Sequence, residues 1–440
     1  MRLSAAIIIV LPVLLFFFFS KKKRDLLNPY NAYTFLYILK IVLPTLIYSV
    51  SDNISIADHF FLERSLADDE VFLKYCVLQS AGYFLILSGI RLCLKNFISS
   101  TKQDVNVISE RSSYLKWGYS LYFLGFIGFL LIISKVGGLM FFLSNLNLRT
   151  YMVRDLDFES YLLSLLNYAP LLLIYAKRWT KNSIKPLEII LIVLAGLMVG
   201  LGGRKALMMI VIECAVVYHY VVSPLEAKKI FNAKMISIIV VVFLFFTTYA
   251  KLRTPGAWEE FVNDPVEFYV GNNEGGLQNT IAGESYVPFY VATVDYFDKH
   301  PKWCGSSFNG LLTAFIPSSF YPNKTPVDDG MYLYSIAHGA NIQPPVPTHS
   351  LDGTSWPLET FGAMYANFGV IGVLCGMLLL GFFIGQCFKR MVKSQYQFRY
   401  VVFYTIVLFT FEISTLRIVQ VIIAFVLLSI IQFLINKRYA

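Results

Sequence analysis

Runs of about 20 apolar residues recur along this chain, each bounded by charges, and a helix of that length just crosses the hydrocarbon core of a bilayer. They fall near residues 3–20, 30–50, 71–94, 114–134, 158–176, 187–203, 205–223, 234–250, 357–387, 399–416 and 418–435. The pattern predicts an all-α polytopic membrane protein with about 11 transmembrane helices. The soluble alternative is excluded by charge: 15% of the 440 residues are charged, against about 25% in soluble domains. Mean hydropathy is +0.60. The run at 357–387 is long enough to tilt, or to begin as a helix outside the bilayer.

One interval interrupts the apolar runs. Residues 251–356 are polar, hold three of the five histidines and are rich in Pro, Gly, Asn and Tyr. The chain therefore divides into an N-terminal bundle (1–250) of about eight spans, a long loop with short helices (251–356), and about three C-terminal spans (357–440). Within the loop, stretches 284–300 and 305–320 place apolar residues at helical spacing and are expected to lie on the membrane surface.

Basic residues assign the sides. Segments 20–29, 91–116, 177–186, 224–234, 388–399 and 436–440 are alternate connections and carry 22 of the 37 Lys and Arg. By the positive-inside rule they face the cytoplasm. Loop 51–70 is acidic, and the long loop has eleven acids against five bases, so both face out. The N-terminus is then outside and the C-terminus inside. The net charge of +9 becomes a topology signal rather than a mark of nucleic-acid binding, and the basic loops suit anionic membrane lipids. The first run has only Arg2 ahead of it and Lys21, Lys22, Lys23 and Arg24 after it, an order that predicts an uncleaved anchor.

Few residues stand where chemistry is possible. Arg204 and Lys205 follow a Gly202-Gly203 turn at the outer mouth of two spans, where exposed backbone N–H groups suit an anion. Arg253 follows the eighth span at headgroup depth, where a guanidinium can grip phosphate bidentately. Each also reads as an ordinary headgroup anchor. Arg417 lies between the last two spans with Glu412 close by, and the two are expected either to pair or to serve a site. Lys40 is a charge inside a span with no evident partner. His349 follows Pro344, Pro345 and Pro347, which restrict the backbone, and can act as a general base. Glu359 opens a helix just after Pro357, as a base or merely as a favourable first-turn acid. Six scattered cysteines make no CxxC pair, and no metal cluster, nucleotide loop or Ser/His/Asp elbow is present. Neither metal nor cofactor is expected.

Three features together resemble a known family: the many spans with one long late outer loop, the Gly202-Gly203-Arg204-Lys205 turn, and the block from Phe315-Ile316-Pro317 and Asn323-Lys324-Thr325-Pro326 through Thr348-His349-Ser350 to Glu359 and Tyr365-Ala366-Asn367-Phe368-Gly369-Val370-Ile371-Gly372. The chain resembles the O-antigen polymerases, the Wzy-type oligosaccharide repeat-unit polymerases of bacterial envelopes. The resemblance implies a GT-C-like membrane glycosyltransferase of the inner membrane with a periplasmic loop. Such enzymes polymerise repeat units carried on undecaprenyl diphosphate, and a chain-length regulator protein is an implied partner. Arg204, Lys205, Arg253 and Arg417 would then hold diphosphate, and His349 or Glu359 would serve the acceptor hydroxyl. An O-antigen ligase shares this architecture. A transporter or flippase of the same lipid-linked units would instead predict broken central spans and charges near the bilayer midplane.

Overall fold

The computed structural model describes residues 2–19, 25–50, 59–95, 97, 108–145, 148–153, 156–180, 184–201, 204–225, 257–264, 285–316 and 320–436; at 108–110, 150, 151, 157, 204, 205, 257, 258 and 260 the backbone alone is described. No strand occurs among the described residues. The principal helices are α1 (Arg2–Phe19), α2 (Pro29–Val50), α3 (Phe60–Ala67), α4 (Asp69–Leu94), α5 (Ile108–Val136), α6 (Phe158–Trp179), α7 (Pro186–Gly200), α8 (Arg204–Val221), α9 (Val287–Lys299), α10 (Gly330–Ala337), α11 (Glu359–Lys393), α12 (Phe398–Thr410) and α13 (Thr415–Asn436).

Six of them, α2, α4, most of α5, α6, α11 and α13, are long and apolar enough to cross a membrane. Shorter apolar helices form α7, α12 and most of α1 and α8. This is the architecture of a polytopic helical membrane protein. The expected span at 234–250 lies outside the described residues.

Local chemistry sets the helix starts. Asn28 caps α2 by accepting from the Tyr30 and Asn31 amides, with Pro29 in the first turn. Asp68, one of the loop acids, caps α4 through the Glu70 and Val71 amides. Within α2 the residues Ile38–Val42 form a π-turn, and the Leu43 amide reaches back to the Ile38 carbonyl. Pro44 explains it: lacking an N–H, it cannot donate to the Lys40 carbonyl four residues earlier.

The helices alternate in direction. Arg2 pairs with Asp69 at 2.9 Å and Ser80 donates to the Ile8 carbonyl, so α1 and α4 run parallel. Thr34 meets Tyr83 and Thr45 meets Tyr75, so α2 runs against them. One end of the bundle gathers Asp25–His219, Lys177–Glu188 and Arg178 on the Gln395 and Tyr396 carbonyls. The other gathers Arg2–Asp69, Lys74–Asp298 and Lys135–Glu159. The described basic connections and residues 285–356 thus occupy opposite ends.

At the centre, α4 and α11 pack backbone to backbone. A Cβ on Gly381 would stand 2.1 Å from the Ile86 carbonyl oxygen, and one on Gly89 2.3 Å from that of Leu378. Only glycine permits such an approach, the usual device where lipid removes the hydrophobic drive for helix association.

The long helix α11 is a hairpin. Gly369 has φ 63° and ψ −145°, a conformation essentially confined to glycine. The chain reverses there: Met364 of the short arm (359–368) lies against Gly376 of the long arm (370–393), whose Cβ would meet Met364 Cγ at 2.6 Å. The carbonyls of Ala366 and Asn367, freed from helical bonding, accept instead from Trp303 and Cys304 at 2.9 and 3.0 Å. The Asn367 side chain adds bonds to the Gly305 amide and Ser307 hydroxyl. Ten residues of helix rise about 15 Å, so the short arm returns Glu359 to the level of Met377–Ile384, with which it shares a cleft.

The surface-lying helix expected at 284–300 is corrected. Instead, α9 is a core element, with Val287, Tyr290, Val291, Ala292, Thr293, Val294 and Phe297 all buried. It packs against α3, α4 and α11. Its polar side is satisfied within the protein, where Asp295 accepts from Ser65 and pairs with Lys299, so a helix covered all round replaces an amphipathic one. Between 305 and 320, Leu312, Phe315, Ile316 and Phe320 do remain exposed.

Candidate functional site

A cleft opens where α2, α9, the short arm of α11 and the break between α12 and α13 converge. It encloses about 660 Å³ of space, open mouth included, and is lined by Tyr33, Tyr37, Lys40, Gln79, Tyr286, Tyr290, Glu359 and Glu412 among apolar side chains.

The ionic groups are paired across large sequence distances. Arg417 grips Glu359 bidentately, Nη2 to Oε1 at 2.6 Å and Nε to Oε2 at 3.2 Å, and donates from Nη1 to Gln420 at 3.0 Å. Glu412 accepts from the Thr360 hydroxyl at 2.5 Å, and that hydroxyl accepts from the Ile413 amide at 2.7 Å. Lys40 Nζ lies 3.5 Å from the Phe409 carbonyl. Buried charges persist when paired and hydrogen-bonded; here the pairing sets the Arg417 guanidinium directly behind Glu359, which lines the cleft. Glu359 sits at φ 45°, a left-handed conformation that costs a non-glycine residue of order 1–3 kcal/mol and clusters at functional sites.

The expected site residues divide accordingly. Glu359 and Arg417 are brought together. Glu412, the other candidate partner of Arg417, instead accepts from Thr360, while Arg417 takes Glu359 as its ion-pair partner. Lys40, which had no evident partner, lines the same cleft as Glu412. His349 is exposed on a 3-10 turn, Thr348–Ser350, and is not among the cleft's lining residues. Arg204 and Lys205 open α8, but their side chains, like the whole of Arg253, lie outside the described residues. Sequence reasoning missed Thr360 and the tyrosines Tyr33, Tyr37, Tyr286 and Tyr290. Pro44 four residues after Lys40 was the one local signal of the π-turn that carries the lysine to the cleft.

The long loop sets the start of α13 and hence Arg417. Buried Asp329 accepts from the Thr415 amide at 3.2 Å and its hydroxyl at 3.1 Å. Its other oxygen, Oδ1, is buried without a partner. Burial pushes the carboxyl up to about 7, against the Thr415 donors that pull it down. An unfolded aspartate titrates near about 3.9. Between those values the folded chain keeps a proton the unfolded chain has released, so the contribution of Asp329 to stability is greatest below about pH 4 and is lost as pH rises through 7. Asp329→Asn should flatten the melting temperature between about pH 5 and 8 and raise it at pH 8 by about 2–5 °C. A pH series of thermal melts in detergent measures it, and an unchanged slope counts against the buried acid.

No protein-family model matches the chain, and neither a curated protein nor a solved structure matches it.

Proposed function

We propose that the chain is a membrane glycosyltransferase that polymerises oligosaccharide repeat units carried on undecaprenyl diphosphate, at the periplasmic face of the inner membrane, as the resemblance to O-antigen polymerases implies. The observation that carries the reading is the Glu359–Arg417 pair, whose carboxylate lines a tyrosine-rich cleft on a strained backbone. The basic end of the bundle is then cytoplasmic.

The parts fit the chemistry. Arg417 exchanges Glu359 for the donor's diphosphate, which gains charge as the glycosidic C–O bond breaks, and a fixed guanidinium in a partly dry cleft stabilises that charge. Release from Arg417 frees Glu359 to take the proton of the acceptor hydroxyl as the new C–O bond forms. The diphosphate lipid leaves, and the proton remains on the carboxylate until water collects it. Tyr33, Tyr37, Tyr286 and Tyr290 offer ring faces and hydroxyls to sugars.

The test is glycan length in cells whose own copy is deleted and replaced by wild type, Arg417→Lys or Glu359→Gln at matched expression. Wild type should restore a polymer ladder. Arg417→Lys, which keeps charge but not the bidentate fork, should shorten it, and Glu359→Gln should leave single-unit caps. Full ladders from both variants would remove the pair from the mechanism. A ligase would instead leave no caps at all.

A second reading gains from one observation. The hairpin of α11, the π-turn of α2 and the break between α12 and α13 place charges beside interrupted helices, as secondary transporters do. Vesicles loaded with such units separate the two: passage across the membrane without any lengthening favours transport.

A further inference from the structure

Lys40 stands in the middle of an apolar span, and of all the residues lining the cleft it alone is exposed. Its neighbours on the same side, Phe35, Leu39 and Leu43, are exposed and apolar. That face therefore meets lipid, and the cleft opens through it rather than only toward water.

The ammonium is loosely held. Its hydrogen bond is the single 3.5 Å contact to the Phe409 carbonyl, at the C-terminal end of α12, where carbonyls lack helical partners and the helix dipole favours a cation. Among the described residues no carboxylate lies within ion-pair distance of it, and Glu412 in the same cleft attracts it only from farther off, whereas Arg417 is held directly by Glu359. The π-turn caused by Pro44 gives Lys40 this position. A long stem among apolar side chains can carry the charge to the edge of the opening.

We propose that Lys40 marks a lateral portal, between α2 and the end of α12, through which the phosphate-bearing headgroup of a membrane lipid enters the cleft. The proposal rests on reading the cleft as a lipid-diphosphate site, and it adds the route and the first contact. A lipid phosphate leaving the headgroup layer along an apolar face needs a cation before it reaches Arg417; in a medium of low dielectric that attraction is long-ranged. The ligand is a polyprenyl or similar lipid phosphate rather than a free anion, because the approach is flanked by Phe35, Leu39 and Leu43. Two cations in sequence, Lys40 then Arg417, would pass the diphosphate inward while Glu359 and Glu412 hold the empty site neutral.

The experiment measures binding of radiolabelled polyprenyl diphosphate to the purified full-length protein in nanodiscs. Lys40→Met should weaken binding about tenfold or more, the worth of one charge-assisted contact, while Lys40→Arg stays within about threefold. Leu36→Trp, which narrows the opening and leaves the lysine, should slow association, and it reports on the portal should Lys40→Met fail to fold. Inorganic pyrophosphate at the same concentration should not displace the lipid. Wild-type affinity in a folded Lys40→Met, unchanged association in Leu36→Trp, or equal displacement by pyrophosphate overturns the portal. Lysine-dependent lipid binding without polymer formation would remove the glycosyl-transfer reading and leave the portal standing; polymer formation with lysine-independent binding would do the reverse.

Discussion

Arg417→Met is expected to destabilise the protein by about 3–5 kcal/mol, the typical loss when one partner of a buried ion pair is removed and the other stays charged. Glu359 is 7% exposed and Arg417 16% at their side chains, so water rescues neither. The double variant Glu359→Gln/Arg417→Met should recover most of that stability, because two neutral groups leave no uncompensated charge. If the proposed glycosyl transfer holds, activity should not recover, because loss of a guanidinium that stabilises a leaving diphosphate removes about 100- to 1,000-fold in rate. Thermal melting in detergent beside glycan length resolves the two effects. A double variant as unstable as the single one would show that Arg417 acts through packing and not through its pairing with Glu359.

The second large effect is expected at Gly369. Its φ 63°, ψ −145° lies away from the left-handed helical region, so asparagine, which often replaces glycine there, should not substitute for it. Gly369→Ala and Gly369→Asn should each cost about 1–3 kcal/mol in backbone strain. A Cβ would also stand 3.2 Å from Lys302 Cε. Because the turn sets the depth of Glu359, polymer length should fall along with the melting temperature. Wild-type melting in Gly369→Ala would falsify the hairpin.

Hydropathy was enough to find most helices. The run at 71–94 is α4 (Asp69–Leu94), and that at 418–435 is α13 (Thr415–Asn436). The run at 399–416 ends early, at Thr410 in α12, because Phe411–Ser414 form the polar break that holds Glu412. A single apolar stretch from 357 hides the hairpin, since both arms are apolar and one glycine reverses them. The block Tyr365, Asn367 and Gly369 that carries the family resemblance turns out to occupy the hairpin's apex. Tyr365 donates to Asp298 and Asn367 ties down residues 305 and 307. The site was legible as candidate types, a carboxylate at Glu359 and a guanidinium at Arg417, and not as a pair. They are separated by 58 positions, and no local pattern in an apolar chain records a contact of that range. Lys40 was visible only as an anomaly, because its meaning depends on what α12 brings beside it.

The pairing between the short arm of α11 and α13 also orders the birth of the protein. Residues 359–393 leave the ribosome well before Arg417 does, so the nascent chain holds a carboxylate destined for a membrane-level cleft while its counter-charge is still unmade. Until α13 is delivered, Glu359 has to stay at the water-facing edge or take up a proton, even though residues 303–307 already hold the apex of the hairpin. The Glu359–Arg417 pair is therefore made only after α13 has joined the bundle.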